Sequence, residues 1–219
     1  MKLFLDTADI QLIKNWAPTR LVDGVTTNPT HLSNAGGDPV EVVQKICALL
    51  PDGDISVEVT QKDPEAVYQQ AKKIAALADN IVVKIPCHSD YYPVIAQLVK
   101  DDIRLNITLV FSVSQALCMA KLGVDYISPF IGRLDDIGQD GIGVLADICT
   151  MVAQYGFESQ VLAASLRTVK KVEEAILVGA DALTVPAAVL HEMATHTLTD
   201  AGIKQFAADW KKLGISEFP

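Results

Sequence analysis

Ile81-Val82-Val83-Lys84-Ile85-Pro86 is the stretch on which the fold turns. The run Asn80–Ile85 is β-branched and apolar almost throughout, closed by a proline, and reads as a strand buried on both faces, as a parallel sheet requires. A lysine stands in its middle. Seven other short apolar runs accompany it: Lys2–Asp6, Gly24–Thr27, Ile55–Val59, Arg104–Leu109, Tyr126–Phe130, Gln160–Ala164 and Ala182–Val185. Between them the apolar residues take helical spacing. Val42, Val43, Ile46, Cys47 and Leu50 share one face, as do Val144, Leu145, Ile148, Met151, Val152 and Tyr155. Ser112 and Gln115 form a capping box that opens the helix after the fifth run. Leu-Gly-Val-Asp at 122–125 is echoed by Val-Gly-Ala-Asp at 178–181, each a helix ending at glycine before a tight turn into a strand. Eight strands, mostly followed by helices, predict an α/β fold: a single-domain (β/α)8 TIM barrel over residues 1–219. An extra C-terminal helix is expected at about 199–213, with Ile203, Phe206 and Trp210 on one face, either capping its own barrel or docking on a neighbour. The competing open sheet usually has fewer strands and a glycine-rich phosphate turn, and neither GxGxxG nor GxxxxGK[ST] occurs.

Composition narrows the function. The 219 residues carry 18 basic and 27 acidic side chains, a net charge of −9, which argues against nucleic acid as a partner. Half the residues are hydrophobic but only 6% are aromatic, as an aliphatic-cored α/β protein would be. The longest uncharged stretch, Leu105 to Ala120, is broken by Asn106, Thr108, Ser112, Ser114 and Gln115, so no membrane span is expected. Cys47, Cys87, Cys118 and Cys149 form no CxxC, and no secretory signal is visible; a reducing, cytoplasmic setting is expected. The histidines His31, His88, His191 and His196 show no HxH or HxxxH spacing, so no metal site is expected, and only His88 lies near the chemistry proposed next.

In such a barrel the chemistry belongs at the C-terminal ends of the strands. The runs present Asp6 there, then Thr27 and Asn28, Glu58, Lys84, Asn106 and Thr108, Phe130 leading to Arg133, and Ser165 with Arg167. Lys84 is the sharpest of these. Of fourteen lysines only Lys84 and Lys2 fall in strand runs. An ammonium in a buried strand loses its hydration and must be paired or shed its proton. Paired, it is a structural partner of Glu58; deprotonated, it is a nucleophile for a carbonyl carbon. Arginine is scarce, at four in the chain, and Arg133 and Arg167 both follow strands at this face, where phosphates commonly bind in barrels.

Six segments in order carry a family resemblance: Leu-Asp-Thr-Ala at 5–8, Gly-Val-Thr-Thr-Asn-Pro at 24–29, Val-Val-Lys-Ile-Pro at 82–86, Asn-Ile-Thr-Leu-Val-Phe-Ser at 106–112, Pro-Phe-Ile-Gly-Arg-Leu-Asp-Asp-Ile at 129–137 and Ala-Ala-Ser-Leu-Arg at 163–167. On these the chain resembles the transaldolases, in the short bacterial-type branch beside the fructose-6-phosphate aldolases. The resemblance implies that Lys84 forms a Schiff base with a ketose phosphate and that Asp6 handles the C4-hydroxyl proton. It implies that Glu58, through a water held by Thr108, serves carbinolamine formation and iminium hydrolysis. Thr27, Asn28, Asn106 and Phe130 would line the substrate, with Arg133, Ser165 and Arg167 on the phosphate. No cofactor and no metal are implied; sugar phosphates are the implied partners, and a homo-oligomer, a decamer in the short members, the implied assembly. The aldolase branch has glutamine at the position of Glu58 and tyrosine at that of Phe130, so transfer of dihydroxyacetone within the pentose phosphate pathway is the expected activity. A fructose-6-phosphate lyase and a non-catalytic sugar-phosphate-binding barrel are the alternatives. The loop Cys87-His88-Ser89-Asp90-Tyr91-Tyr92 departs from the family's usual threonine and acidic-Gly-Leu turn, and Thr30 replaces a serine.

Overall fold

In a computed structural model that describes residues 1–214, eight parallel strands close into a barrel in chain order, β1 pairing with both β2 and β8. They are β1 (Lys2–Asp6), β2 (Gly24–Thr26), β3 (Asp54–Glu58), β4 (Ile81–Pro86), β5 (Leu105–Val110), β6 (Tyr126–Pro129), β7 (Gln160–Ala163) and β8 (Ala182–Val185). The helices are α1 (Ile10–Trp16), α2 (Pro29–Ala35), α3 (Pro39–Leu49), α4 (Pro64–Ala75), α5 (Tyr92–Lys100), α6 (Val113–Leu122), α7 (Ile131–Asp136), α8 (Gly141–Tyr155), α9 (Val169–Leu177), α10 (Ala187–Met193) and α11 (Thr197–Lys212). None of these is long and apolar enough to cross a membrane. The expected (β/α)8 barrel is therefore the observed one, and strand ends differ from expectation by a residue. Phe130 and Ala164, read as ends of β6 and β7, form an isolated bridge to each other just beyond them.

Strand residues alternate between two cores, because successive side chains point to opposite faces. The odd positions Leu5, Val25, Ile55, Val57, Ile81, Val83, Ile85, Leu105, Ile107, Ile127, Val161, Leu183 and Val185 pack outward, in one buried cluster with the helices. The even positions Phe4, Val82, Tyr126, Leu162, Ala164 and Ala182 fill the barrel interior. Leu109, in the left-handed region at φ 57°, sits where the β5–β6 register shifts, and beyond it the even-numbered Val110 joins the outer cluster. That is the behaviour of a bulge.

Local signals in the sequence account for the helix ends. Asp9, Asp38, Asp63, Ser112, Asp140 and Thr168 each accept a first-turn amide at a helix N-cap. The Ser112 box closes one residue early, since Gln115 Oε1 accepts from Phe111 N rather than from the cap residue. Gly123 and Gly179 do end their helices with positive φ, 80° and 87°. The aspartates of the echo also brace the sheet. Asp125 accepts the amide of Leu105 and Asp181 that of Val161, each tying down the start of an earlier strand. Asp23 does the same for Leu3.

Two expectations about helix faces change. Tyr155 ends α8 at 67% exposure, outside the buried stripe of Leu145, Ile148, Met151 and Val152. The C-terminal helix is present, starting at Thr197, but it buries no residue, and Ile203 and Phe206 are exposed. It does not cap the barrel with that face.

The N-terminal mouth is closed by charge. Asp54 accepts from Lys2 Nζ at 3.0 Å, from Tyr126 Oη at 2.5 Å and from Arg104 Nη1 at 2.6 Å. Burial alone would push the Asp54 carboxyl up, but these donors, Arg104 foremost, hold it down at about 2.

Candidate active site

At the opposite mouth the even positions become polar and line a cavity of about 200 Å³. Its walls carry Asp6, Asn28, Lys84, Asn106, Phe130, Arg133, Ser165 and Arg167 from the expected set, together with Thr26, Ser128 and Thr184. Strand register accounts for the convergence: Glu58 pairs with Lys84, and Lys84 with Asn106, on three neighbouring strands.

Lys84 is 4% exposed. Its Nζ lies 3.1 Å from Glu58 Oε2, donates to the carbonyl oxygen of Thr27 at 3.1 Å, and sits 6.0 Å from the centroid of the Phe130 ring. Buried charge requires such compensation. The amine is thus anchored from the β2 and β3 sides and reaches the cavity from β4. Glu58 stands behind the amine rather than on the cavity wall. Thr27 is fully buried, donates its hydroxyl to the Ser56 carbonyl, and meets Lys84 through its backbone, so its side chain is not brought to the cavity. Thr108 is also fully buried, and its Oγ1 has no hydrogen-bond partner among the described residues, an uncommon state for a buried hydroxyl.

Asp6 closes β1. Its Oδ1 accepts from Thr26 Oγ1 at 2.9 Å and lies 3.3 Å from His31 Nε2. Thr184 completes the chain by donating to Thr26 Oγ1 at 2.6 Å, since the Thr26 proton is spent on Asp6. Burial works to raise the Asp6 carboxyl, but the His31 bond and charge, with Lys84 and Thr26, outweigh it and hold the group below the usual carboxylate range. Asn106 is held on both sides, accepting from Ser128 Oγ at 2.6 Å and donating to Ser56 Oγ at 3.0 Å. Asn28 caps α2, its Oδ1 accepting from His31 N at 2.8 Å, which leaves the amide nitrogen as its free end.

The cationic rim is built by close backbone contact. Gly132 N donates to the Ser165 carbonyl at 3.1 Å, and a Cβ at Gly132 would stand 2.5 Å from that oxygen and 3.0 Å from Arg167 Nε. Ser165 itself takes the left-handed conformation at φ 61°, a strained position of the kind common at functional sites. Arg133 stacks 5.2 Å from the Phe130 centroid. Arg167 is not an empty fork: Nη1 and Nη2 bind Asp136 Oδ1 and Oδ2 at 2.6 and 2.7 Å. Thr26, Ser128, Thr184, His31 and Asp136 are the site residues that sequence reasoning missed. The three hydroxyls share the even parity of Lys84 and Asn106, the one signal that would have found them. No cluster of three or more metal-ligating side chains occurs among the described residues.

Comparison with known proteins gives one answer. The sequence pattern described as Transaldolase/Fructose-6-phosphate aldolase matches residues 3–217. A "Probable transaldolase" of Dehalococcoides mccartyi is 49% identical over 214 residues, 97% of this chain and 99% of that protein. Proteins of the same name from Caulobacter vibrioides and Methanococcus maripaludis are 45% and 44% identical, covering 99% and 96% of this chain and 99% and 98% of their own lengths. A lysine at the centre of a barrel's polar mouth and these full-length likenesses agree: the chain belongs to the transaldolase/fructose-6-phosphate aldolase family.

Proposed function

We propose that the chain is a transaldolase that moves a dihydroxyacetone unit between sugar phosphates of the pentose phosphate pathway. The donors are sedoheptulose 7-phosphate or fructose 6-phosphate, the acceptors glyceraldehyde 3-phosphate or erythrose 4-phosphate. Lys84 Nζ adds to the ketone carbon, and loss of water gives an iminium. Asp6 takes the C4-hydroxyl proton as the C3–C4 bond breaks, and the electron pair flows into the iminium to leave an enamine. The aldehyde departs, an acceptor aldehyde adds to the enamine, and Asp6 returns the proton to its oxygen. Glu58, 3.1 Å from the amine, serves the proton transfers of iminium formation and hydrolysis, and the unpartnered Thr108 hydroxyl is free to hold the water they use. Asn28 and Asn106 orient the three-carbon unit, and Arg133, Ser165 and Arg167 hold the phosphate.

The observation that carries the reading is the buried Lys84 amine between Glu58 and the cavity. Borohydride added with fructose 6-phosphate should trap an adduct on Lys84. An absent adduct, or one that survives Lys84→Arg, would refute the chemistry and leave a binding barrel.

Transfer is favoured over lysis by the hydroxyl-free ring of Phe130 beside the amine, since a donor at that position would help protonate the enamine. Dihydroxyacetone released without acceptor as fast as transfer occurs would reverse that choice. We take the chain to work as one barrel domain in the cytoplasm, in line with its four free thiols. The exposed Ile203 and Phe206 on α11 support a homo-oligomer, which mass in solution before and after truncation at Ala201 would test.

A further inference from the structure

His31, one of the three histidines read as remote from the chemistry, stands at the Asp6 carboxylate, whereas His88, read as the near one, is exposed beside Asp90 and does not line the cavity. Asn28 begins α2 and fixes its first turn through the His31 amide, which brings the imidazole of that turn across to β1. Asp6 Oδ1 is then shared by Thr26 Oγ1 at 2.9 Å and His31 Nε2 at 3.3 Å. With both donors on Oδ1, Oδ2 is the oxygen left without a protein partner among the described residues. The two side chains also divide two spaces. Asp6 lines the catalytic cavity, while His31 lines a separate cleft of about 480 Å³ beside Asp9, Gln11, Asn34 and Val42.

We propose that His31 is the positioning residue of Asp6: it clamps Oδ1 so that Oδ2 meets the substrate hydroxyl. This rests on the reading of Asp6 as the base for carbon–carbon cleavage. Among the surrounding charges Lys84 also lowers the Asp6 carboxyl, but by less than His31 does. Lys84 on β4 and the rim guanidiniums Arg133 and Arg167 face the cavity, and Lys84 is already matched by Glu58 and Arg167 by Asp136. Asp9, the acidic neighbour in the cleft, is spent capping α1. The direction of the Asp6 shift agrees with this contact, because His31 makes the largest contribution opposing burial. The sign follows: without His31 the carboxyl rises, so the base is protonated over more of the acid range and the limb of the rate profile moves to higher pH.

The test compares wild type with His31→Leu, which removes the donor, and His31→Gln, which keeps an N–H without the imidazole. Acceptor-dependent transfer is measured from pH 5 to 9, and borohydride trapping on Lys84 alongside it. Iminium formation does not use Asp6, so trapping should be equal in all three proteins. In His31→Leu the acid limb should move up and the plateau kcat should fall about tenfold, less than the roughly hundredfold or more lost with a general base outright, because Asp6 itself remains. His31→Gln should recover most of the plateau and bring the acid limb part of the way back, since the hydrogen bond is the larger of the two His31 contributions. Intact trapping with an unchanged profile in His31→Leu overturns the inference alone. Trapping lost in His31→Leu but kept in wild type also overturns it, since His31 would then serve the fold or the amine. Absence of trapping in wild type overturns the functional reading and this inference with it.

Discussion

Asp54→Asn removes the charge that gathers Lys2, Arg104 and Tyr126 at the N-terminal mouth, and its cost can be worked from the geometry. The carboxyl is held at about 2 against an ordinary 3.8, an interval equivalent to about 2 kcal/mol at about 1.36 kcal/mol per pH unit. Lys2 and Arg104 are 37% and 39% exposed, so water screens part of this, and we expect a loss of about 1–2 kcal/mol at pH 7. For a domain of this size that is roughly 2–8 °C in Tm. A depressed carboxylate stabilises the fold above its unfolded value and loses that contribution as pH falls through its folded one. Urea titrations of both proteins should therefore show the full gap at pH 7, about half of it at pH 3, and almost none near pH 2. A gap unchanged between pH 7 and pH 3, or no gap at pH 7, would refute the reasoning. Turnover should not change, because the network lies at the mouth remote from Lys84.

Further outcomes follow at the active-site mouth. Asp136→Ala frees both terminal nitrogens of Arg167, and the KM for phosphorylated donors should fall several-fold while free dihydroxyacetone is handled as before; steady-state kinetics on the two substrate types checks this. Gly132→Ala drives a Cβ to 2.5 Å from the Ser165 carbonyl, so it should raise the KM for sugar phosphates and lower stability by about 1–3 kcal/mol, read by kinetics and urea denaturation. Phe130→Tyr with Glu58→Gln should increase dihydroxyacetone release without acceptor relative to transfer, measured by a coupled assay.

The barrel was legible because every strand is short and bounded by turn residues or charge, and because capping residues such as Asp38, Ser112 and Thr168 mark the helices between them. The site was legible where a polar side chain is anomalous in its surroundings, as Lys84 is between Val83 and Ile85. Treating the strands as uniformly buried hid a finer pattern. The odd positions are aliphatic because they meet helices, and the even ones turn polar towards both mouths. Thr26 and Thr184 escaped notice because threonine is an ordinary strand residue. His31 and Asp136 escaped because their partners, Asp6 and Arg167, are 25 and 31 residues away, brought near only by the parallel pairing of consecutive strands. The charged plug of Lys2, Asp54, Arg104 and Tyr126 joins four strand starts, and no local pattern announces it.

The burial of Lys84 has a practical consequence for chemical labelling. Among the described residues it is the only buried lysine, so a reagent that acylates amines on collision from solvent will consume the others first. Entry to Lys84 demands a compound small enough for a space of about 200 Å³ and willing to condense reversibly with an amine. The reactive lysine should therefore reveal itself by what stays unmodified under exhaustive acylation, then becomes modified when a short hydroxyketone is supplied with a reductant.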